Sequence, residues 1–148
     1  MPSAIQYTFD QMDTNRTALV TGGNRGIGLA ICEGLADRGV HVVMGARDEE
    51  TGEDAAASIR ERGGSVRVEQ LDVIETASIE ACKERLDADD VAVDALVNNA
   101  GVYPEGDALG VSIDQLDQAW TVNTRGPWLL VKAFVPDMIE RGYGRVVN

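Results

Sequence analysis

The chain has 148 residues, 44% of them hydrophobic and 26% charged, which is typical of one globular domain with its own core and excludes a collagenous or wholly disordered protein. A net charge of −12 without basic clusters disfavours binding to nucleic acid or to anionic lipid. No apolar run approaches the roughly 18 residues of a membrane span and no signal sequence is recognisable, so a cytoplasmic protein is expected.

Residues 1–15 have no periodic pattern and are predicted to form a flexible tail. From residue 17 onward, short apolar runs alternate with glycine or polar turns and with segments of helical spacing, as in βαβ units. Strands are predicted at 17–21, 40–45, 65–71, 95–98 and 145–148. The intervening helices are marked by Ile27, Ala30, Ile31 and Leu35, by Ala55, Ala56 and Ile59, and by Ile79, Cys82 and Leu86. Cys32 and Cys82 are interpreted as buried thiols rather than a disulfide.

The predicted strands differ in a way that orders them. The first and fourth contain unbroken apolar triplets, which are typical of strands covered on both faces. The third alternates apolar and charged residues over 66–69, as an edge strand does. The sequence therefore predicts an α/β fold with a doubly wound parallel sheet in the order 3-2-1-4-5.

Four glycines follow the first strand in the segment TGGNRGIG, residues 21–28, and three of them, Gly22, Gly26 and Gly28, have the spacing G-x-x-x-G-x-G. Gly22 allows a tight turn, Gly26 lets the backbone approach a diphosphate, and Gly28 lets the following helix pack closely. Free N–H groups and the positive end of that helix then attract the anion. The alternative is a glycine turn without a ligand.

Five motifs in order and spacing resemble the short-chain dehydrogenase/reductase family, most closely its carbonyl-reductase-like members. They are TGGNRGIG at 21–28, LDV at 71–73, NNAG at 98–101, Asn123 within VNTRG, and GRVVN at 144–148. The resemblance implies that residues 16–148 are a dinucleotide-binding Rossmann domain, incomplete at its C-terminus. It also implies hydride transfer between a nicotinamide dinucleotide and a small carbonyl or alcohol substrate. No metal site is predicted.

The resemblance assigns cofactor contacts to the glycine loop, the LDV motif and the NNAG motif. The implied residues are Thr21, Gly22, Asn24, Arg25, Gly26, Ile27, Gly28, Leu71, Asp72, Val73, Asn99, Ala100 and Gly101. Within this set Asp72 is expected to contact the adenine ring. Both later motifs end predicted strands, at the edge where open parallel sheets bind ligands. For Asp72, a helix N-cap is the alternative.

The tip of the second strand bears on the choice of nicotinamide cofactor. Enzymes that use NAD place an acid there for the ribose hydroxyls, whereas this sequence has Ala46 followed by Arg47. With Arg25 from the glycine loop, Arg47 would supply a second guanidinium for a 2′-phosphate, which predicts NADP(H). A one-residue slip in register would aim Asp48 at the ribose and favour NAD. Arg47 as a solvated residue at a helix start is the other alternative.

A long helix is predicted over residues 112–140, with Pro127 inside it. Proline has no N–H for the carbonyl of Asn123, so a kink is expected near residues 123–127. In the family this Asn belongs to the catalytic tetrad and its carbonyl holds a water, which makes Asn123 the catalytic residue implied here. A merely bent core helix is the alternative. Trp120 and Trp128 are interpreted as packing residues, and the resemblance implies a possible homodimer through this helix.

The family continues after GRVVN with a catalytic serine and a Tyr-x-x-x-Lys pair. None of Tyr7, Tyr103 and Tyr143 is followed by lysine four positions later. The chain is therefore expected to be a truncated reductase that keeps most of its cofactor site but has no turnover alone. The rival interpretations are a noncatalytic NADP(H)-binding module or sensor and a truncated product without function. The sequence does not distinguish among possible substrates.

Overall fold

The computed structural model describes residues 16–107 and 109–148, so the tail predicted over 1–15 lies outside the described residues. Five parallel strands form one sheet in the order β3-β2-β1-β4-β5, which confirms the predicted fold. The strands are β1 (Thr17–Thr21), β2 (His41–Ala46), β3 (Val66–Gln70), β4 (Ala95–Val97) and β5 (Arg145–Val147). Strand β2 ends one residue later than the sequence pattern predicts.

Helices cover the sheet on both faces. They are α1 (Gly26–Ala36), α2 (Glu49–Glu61), α3 (Thr76–Ala88), α4 (Ile113–Trp120) and α5 (Gly126–Glu140), with a π-helical turn at Thr121–Arg125 between the last two. Successive residues of β1 point to opposite sides, so Leu19 packs with α3 and α5 while Val20 packs with α1 and α2. The core therefore consists of two apolar clusters separated by the sheet.

Helix α1 lies in the predicted place, but most of the apolar residues that mark it are not the most buried ones. The buried residues are Gly28, Cys32 and Ala36, whereas Ile27 is 76% exposed. Small residues every four positions let the helix axis approach the sheet closely, and the larger Ile31 and Leu35 pack only partly at the margin. Ile27 marks the helix in the sequence pattern but does not belong to its buried face.

The two cysteines are free and buried, as predicted, and the structure places them in different clusters. Burial raises the pKa of Cys32 and of Cys82 to about 12, so neither thiol is a nucleophile at neutral pH. His41 on β2 lies 2.6 Å from Ser65 Oγ through its Nδ1. Burial, with a smaller effect of Arg67, lowers the pKa of His41, which favours the neutral ring.

The edge strand β3 carries a buried charge that its alternating pattern does not reveal. Glu69 is only 3% exposed. Its carboxylate accepts hydrogen bonds from Arg67 Nε at 2.6 Å and from Arg85 Nε at 2.7 Å. Arg85 lies in α3, a separate element of the chain. Its positive charge, together with that of Arg67, offsets the free-energy cost of burying the carboxylate.

The predicted long helix is interrupted close to the predicted kink. The π-helical turn at Thr121–Arg125 separates α4 from α5, and Pro127 follows it directly in the first turn of α5. Trp120 and Trp128 are 64% and 58% exposed, so the interpretation of these residues as packing residues is wrong within this chain.

Candidate functional site

The glycine loop after β1 lies at the carboxyl edge of the sheet, between the ends of β2 and β4. The N–H of Gly23 donates to the carbonyl of Gly45 on β2 at 3.1 Å, which holds the loop against the sheet. Gly22 and Gly26 have φ values of +62° and +54°, in the left-handed region that favours glycine. The loop therefore has a backbone conformation that glycine adopts readily and that is unfavourable for most other residues.

Gly28 is the point at which the loop and helix α1 come closest. A Cβ atom there would overlap the carbonyl oxygen of Gly22 and would lie 2.5 Å from Nδ2 of Asn99. Gly23, which was not singled out from the sequence, also has no room for a side chain, because a Cβ there would lie 2.8 Å from Cγ of Met44. The glycine doublet at 22–23 was the available signal for this second close approach.

The start of helix α1 is open, in contrast to the close packing beside it. No side chain caps the helix, and its first turn contains no acidic residue. A Cβ at Gly26 would meet no atom within 4 Å, and the side chain of Ile27 is exposed. Helices α2 and α4, by comparison, are capped by Asp48 and Ser112. An uncapped, positively polarised helix start beside a glycine turn is suited to bind an anion.

The NNAG segment is tied to the glycine loop through Thr21. This threonine is 1% exposed, and its hydroxyl accepts hydrogen bonds from the backbone N–H groups of Asn99 at 3.0 Å and Ala100 at 2.9 Å. In return, Nδ2 of Asn99 donates to the carbonyls of Thr21 and Gly22 at 2.9 and 3.2 Å. The side chains of Thr21 and Asn99 thus join the two loops, while Gly101 lies exposed at the surface.

A cleft of about 390 Å³ opens beside this junction. It is lined by Asn98, Asn99, Ala100, Gly101, Val102, Tyr103, Asn123, Pro127 and Asn148. Sequence reasoning missed Asn98, Val102, Tyr103 and Asn148 as site residues, although they adjoin the recognised motifs. Strand β5 brings Asn148 to the cleft, where its Oδ1 accepts a hydrogen bond from Asn98 Nδ2 at 2.8 Å.

Asn123 connects the helical side of the cleft to the loop after β4. Its Oδ1 accepts a hydrogen bond from the N–H of Val102 at 2.9 Å, and its Nδ2 donates to the carbonyl of Val102 at 2.7 Å. The amide therefore pairs with both backbone groups of a single residue. This places Asn123 in the cleft together with the end of the NNAG motif.

The π-helical turn around Asn123 has a local cause. The N–H of Gly126 donates to the carbonyl of Thr121, five residues earlier, and Pro127 has no N–H for the carbonyl of Asn123. A Cβ at Gly126 would lie 2.9 Å from the carbonyl oxygen of Val73, so glycine is needed where the helix crosses the LDV segment. Sequence reasoning found Pro127 but missed Gly126.

Comparison with known proteins identifies the family. Residues 16–148 match the family model described as short chain dehydrogenase. The chain belongs to this family. Oxidoreductase UcpA of Salmonella typhimurium is 35% identical over 134 residues, which are 90% of this chain and 51% of that protein. This short-chain dehydrogenase spans about half the length of the curated relatives it matches.

Solved structures agree with the family. A gluconate 5-dehydrogenase from Burkholderia cenocepacia in complex with NADP and tartrate is 34% identical, with a TM-score of 0.82 over 88% of this chain and 51% of that one. A metagenomic short-chain oxidoreductase in complex with NADP is 35% identical, with a TM-score of 0.80 over 88% of this chain and 60% of that one. None of the helices within residues 16–107 and 109–148 is long and apolar enough to cross a membrane.

The LDV segment of this short-chain dehydrogenase divides between core and surface. Leu71 and Val73 are 2% and 6% exposed and belong to the apolar cluster under α3 and α5. Asp72 is half-buried, and its Oδ1 accepts a hydrogen bond from the N–H of Ile74 at 3.2 Å. The alternative of a helix N-cap is wrong, because the N-cap of α3 is Glu75 and Asp72 stabilises the turn before it.

Two arginines at the rim differ from the others because their guanidiniums have no partner among the described residues. The other arginines all use the guanidinium in a hydrogen bond, ion pair or ring contact: Arg16, Arg38, Arg60, Arg62, Arg67, Arg85, Arg125, Arg141 and Arg145. Arg25 and Arg47 have no such interaction within residues 16–107 and 109–148. Both are exposed, at the start of α1 and just after β2.

Asp48 is engaged locally, although it lies next to Arg47. Its Oδ1 accepts a hydrogen bond from the N–H of Thr51 at 2.8 Å, which makes Asp48 the N-cap of α2. This backbone hydrogen bond, with a smaller contribution from the Thr51 side chain, lowers the pKa of Asp48. The carboxylate is thus charged at neutral pH and serves the helix start.

Proposed function

We propose that this short-chain dehydrogenase binds NADP(H), and that the whole protein transfers a hydride between that nucleotide and a carbonyl or alcohol group. The observation that carries the proposal is the glycine loop. There is no room for a side chain at Gly28, whereas Gly26 faces open space at the start of α1, which no side chain caps. A dinucleotide diphosphate fits this arrangement, because backbone N–H groups and the helix dipole complement its charge.

The remaining residues fit the other parts of the nucleotide. Asp72 is proposed to face the adenine ring, since it lies half-buried after β3 at the same edge of the sheet. Asn99, Ala100 and Gly101 are proposed to lie along the adenosine side of the nucleotide, where the resemblance places the NNAG motif, and the exposed Ile27 is proposed to contact the nucleotide at the start of α1. The nicotinamide ring, when bound, supplies or accepts the hydride. The cleft beside Asn123 is the place we propose for the substrate.

The unpartnered guanidiniums of Arg25 and Arg47 support NADP(H) rather than NAD(H). Two charged hydrogen-bond donors are suited to a 2′-phosphate, and the acid that could instead bind ribose hydroxyls, Asp48, is the N-cap of α2. Both solved structures described above also contain NADP. A charged hydrogen bond contributes about 1.5–3 kcal/mol, so one such contact changes affinity roughly ten- to a hundredfold.

Calorimetric titration of the chain with NADP⁺ and NAD⁺ tests this preference. We expect NADP⁺ to bind more tightly, and Arg47→Ala to weaken NADP⁺ about ten- to a hundredfold while leaving NAD⁺ nearly unchanged. Arg38→Ala is the matched control, because Arg38 is also exposed but bonds only the Gly34 carbonyl within α1. Tighter binding of NAD⁺ by the unchanged chain would refute the proposal.

In the family, turnover needs a Tyr-x-x-x-Lys pair, whereas Tyr103, which lines the cleft, has Asp107 four positions later. No tyrosine of these 148 residues is followed by lysine four positions later. We therefore expect the chain alone to bind nucleotide without oxidising it, as a nucleotide-binding module would. The measurement is NADPH absorbance in the presence of a panel of aldehydes and ketones, with the chain omitted as control. Carbonyl-dependent loss of NADPH would contradict this expectation.

We also propose a homodimer through residues 112–140. The apolar side chains of Ile113, Leu116, Trp120 and Trp128 are 70%, 55%, 64% and 58% exposed. Exposure of four large apolar residues on α4 and α5 is unfavourable in water and is typical of an interface. Sedimentation velocity across a concentration series distinguishes a dimer from a monomer.

A further inference from the structure

A single hydroxyl group joins the glycine loop to the start of α2. Nδ2 of Asn24 donates a hydrogen bond to Oγ1 of Thr51 at 3.1 Å, and the same Oγ1 donates to the carbonyl of Asp48 at 3.0 Å. Asn24 directly precedes Arg25, and Asp48 directly follows Arg47. The Thr51 hydroxyl is thus bonded to the neighbours of both unpartnered arginines.

The two segments are held differently in the rest of the structure. Helix α2 packs closely against β3 near its start. At Gly52 the contact leaves no room for a side chain, because a Cβ there would lie 2.6 Å from Cγ1 of Val68. The glycine loop is held at its base by the bond from Gly23 to Gly45. Beyond that base, Asn24 and Arg25 have one described side-chain bond to another part of the fold, which is the bond to Thr51.

Thr51 also fixes the position of the Asp48 carboxylate. The backbone N–H of Thr51 donates to Oδ1 of Asp48, which keeps that carboxylate at the start of α2. A substitution that removes only the hydroxyl removes the smaller of the two effects of Thr51 on the pKa of Asp48 and leaves the larger one, this backbone bond, in place. The effect of the hydroxyl on the spacing of the two arginines is therefore separable by mutation from the capping of α2.

We propose that Thr51 is a positioning residue for cofactor choice, whose hydroxyl sets the separation of Arg25 and Arg47 so that both reach one 2′-phosphate. This inference rests on the proposed function. A change in the separation of the two guanidiniums weakens the hydrogen bonds that they make to a shared anion without removing either, because hydrogen-bond strength depends on distance and angle. NAD⁺ has no 2′-phosphate, so its affinity does not depend on this separation.

The test is the affinity of Thr51→Val for NADP⁺ and for NAD⁺, measured by calorimetry beside the unchanged chain. Valine keeps the branched shape and the backbone N–H but removes the hydroxyl. We expect NADP⁺ to bind about three- to tenfold more weakly and NAD⁺ to change by less than about twofold. Thr51→Ser restores the hydroxyl and should restore NADP⁺ affinity. Ser58→Ala is the matched control, because it removes a hydroxyl that bonds only Ala55 within α2.

Asn24→Ala provides an independent arm, should Thr51→Val fail to fold. Asn24 is itself among the expected cofactor contacts, so the decisive result is the double variant, which should lose little more NADP⁺ affinity than Asn24→Ala alone. Equal weakening of both nucleotides, or no weakening of NADP⁺, would overturn the role of Thr51 while leaving the proposed function intact. If the unchanged chain binds neither nucleotide, the proposed function fails and this inference fails with it.

Discussion

Replacing Gly28 with alanine should lower the free energy of unfolding by about 3 kcal/mol or more and abolish detectable binding of NADP(H). The added methyl group would overlap the carbonyl oxygen of Gly22 and press on the amide of Asn99. These atoms belong to backbone and to a hydrogen-bonded side chain, so neither moves without disturbing the loop. Urea denaturation and calorimetric titration measure the two effects.

Gly34→Ala is the matched control for this prediction. It lies on the same helix, and its added Cβ would meet only the flexible end of Arg38, at 3.5 Å. Because alanine favours helix more than glycine does, we expect this variant to be unchanged or more stable by up to about 1 kcal/mol. A Gly28→Ala chain that folds and binds NADP(H) normally would show that the loop does not pack on the helix in this way.

Thr21→Val is expected to lower the free energy of unfolding by about 2–3 kcal/mol and to weaken nucleotide binding at least tenfold. Valine has nearly the same shape, but it cannot accept the hydrogen bonds from the backbone N–H groups of Asn99 and Ala100. The N–H of Asn99 keeps a bond to the carbonyl of Val97 at 3.0 Å, so the larger loss falls on Ala100. The NNAG segment would then no longer be held against the glycine loop.

The control for this second prediction is Thr121→Val. That hydroxyl donates to the carbonyl of Asp117 on the exposed side of α4, so its removal should change the free energy of unfolding by less than about 0.5 kcal/mol. Urea denaturation of the three chains under identical conditions makes the comparison. A Thr21→Val chain as stable as the unchanged one would mean that the hydroxyl does not organise the loops.

Much of the fold was accessible from local patterns. The alternation over Val66–Glu69 identified the edge strand, and the position of Pro127 predicted an interruption close to the observed π-helical turn. These inferences succeed because they depend on neighbours within a few residues, where the backbone geometry follows from the residue types. The strand order followed from the same patterns together with the handedness of parallel connections.

Hydrophobic periodicity does not identify the buried face of a helix where small residues make the packing contacts. The buried face of α1 consists of Gly28, Cys32 and Ala36, while the larger Ile27 is exposed beside the glycine loop. Periodicity weights residues by hydrophobicity, so it located the helix but did not show that Gly28 and Ala36 belong to its buried face. The burial of Glu69 could not be predicted from the sequence either, because only the packing of α3 brings its second partner, Arg85, into contact with it.

The sequence by itself determined the family, the parallel sheet and the glycine loop, because each depends on residue types at short spacing. Only the tertiary structure decided which side chains are available to a ligand. It placed Thr21 and Asn99 in contact across 78 positions of the chain, left Arg25 and Arg47 without partners in the described part, and assigned Asp48 to the start of α2. These outcomes depend on contacts between segments far apart in the chain, and the energy of such contacts is not encoded in any local pattern.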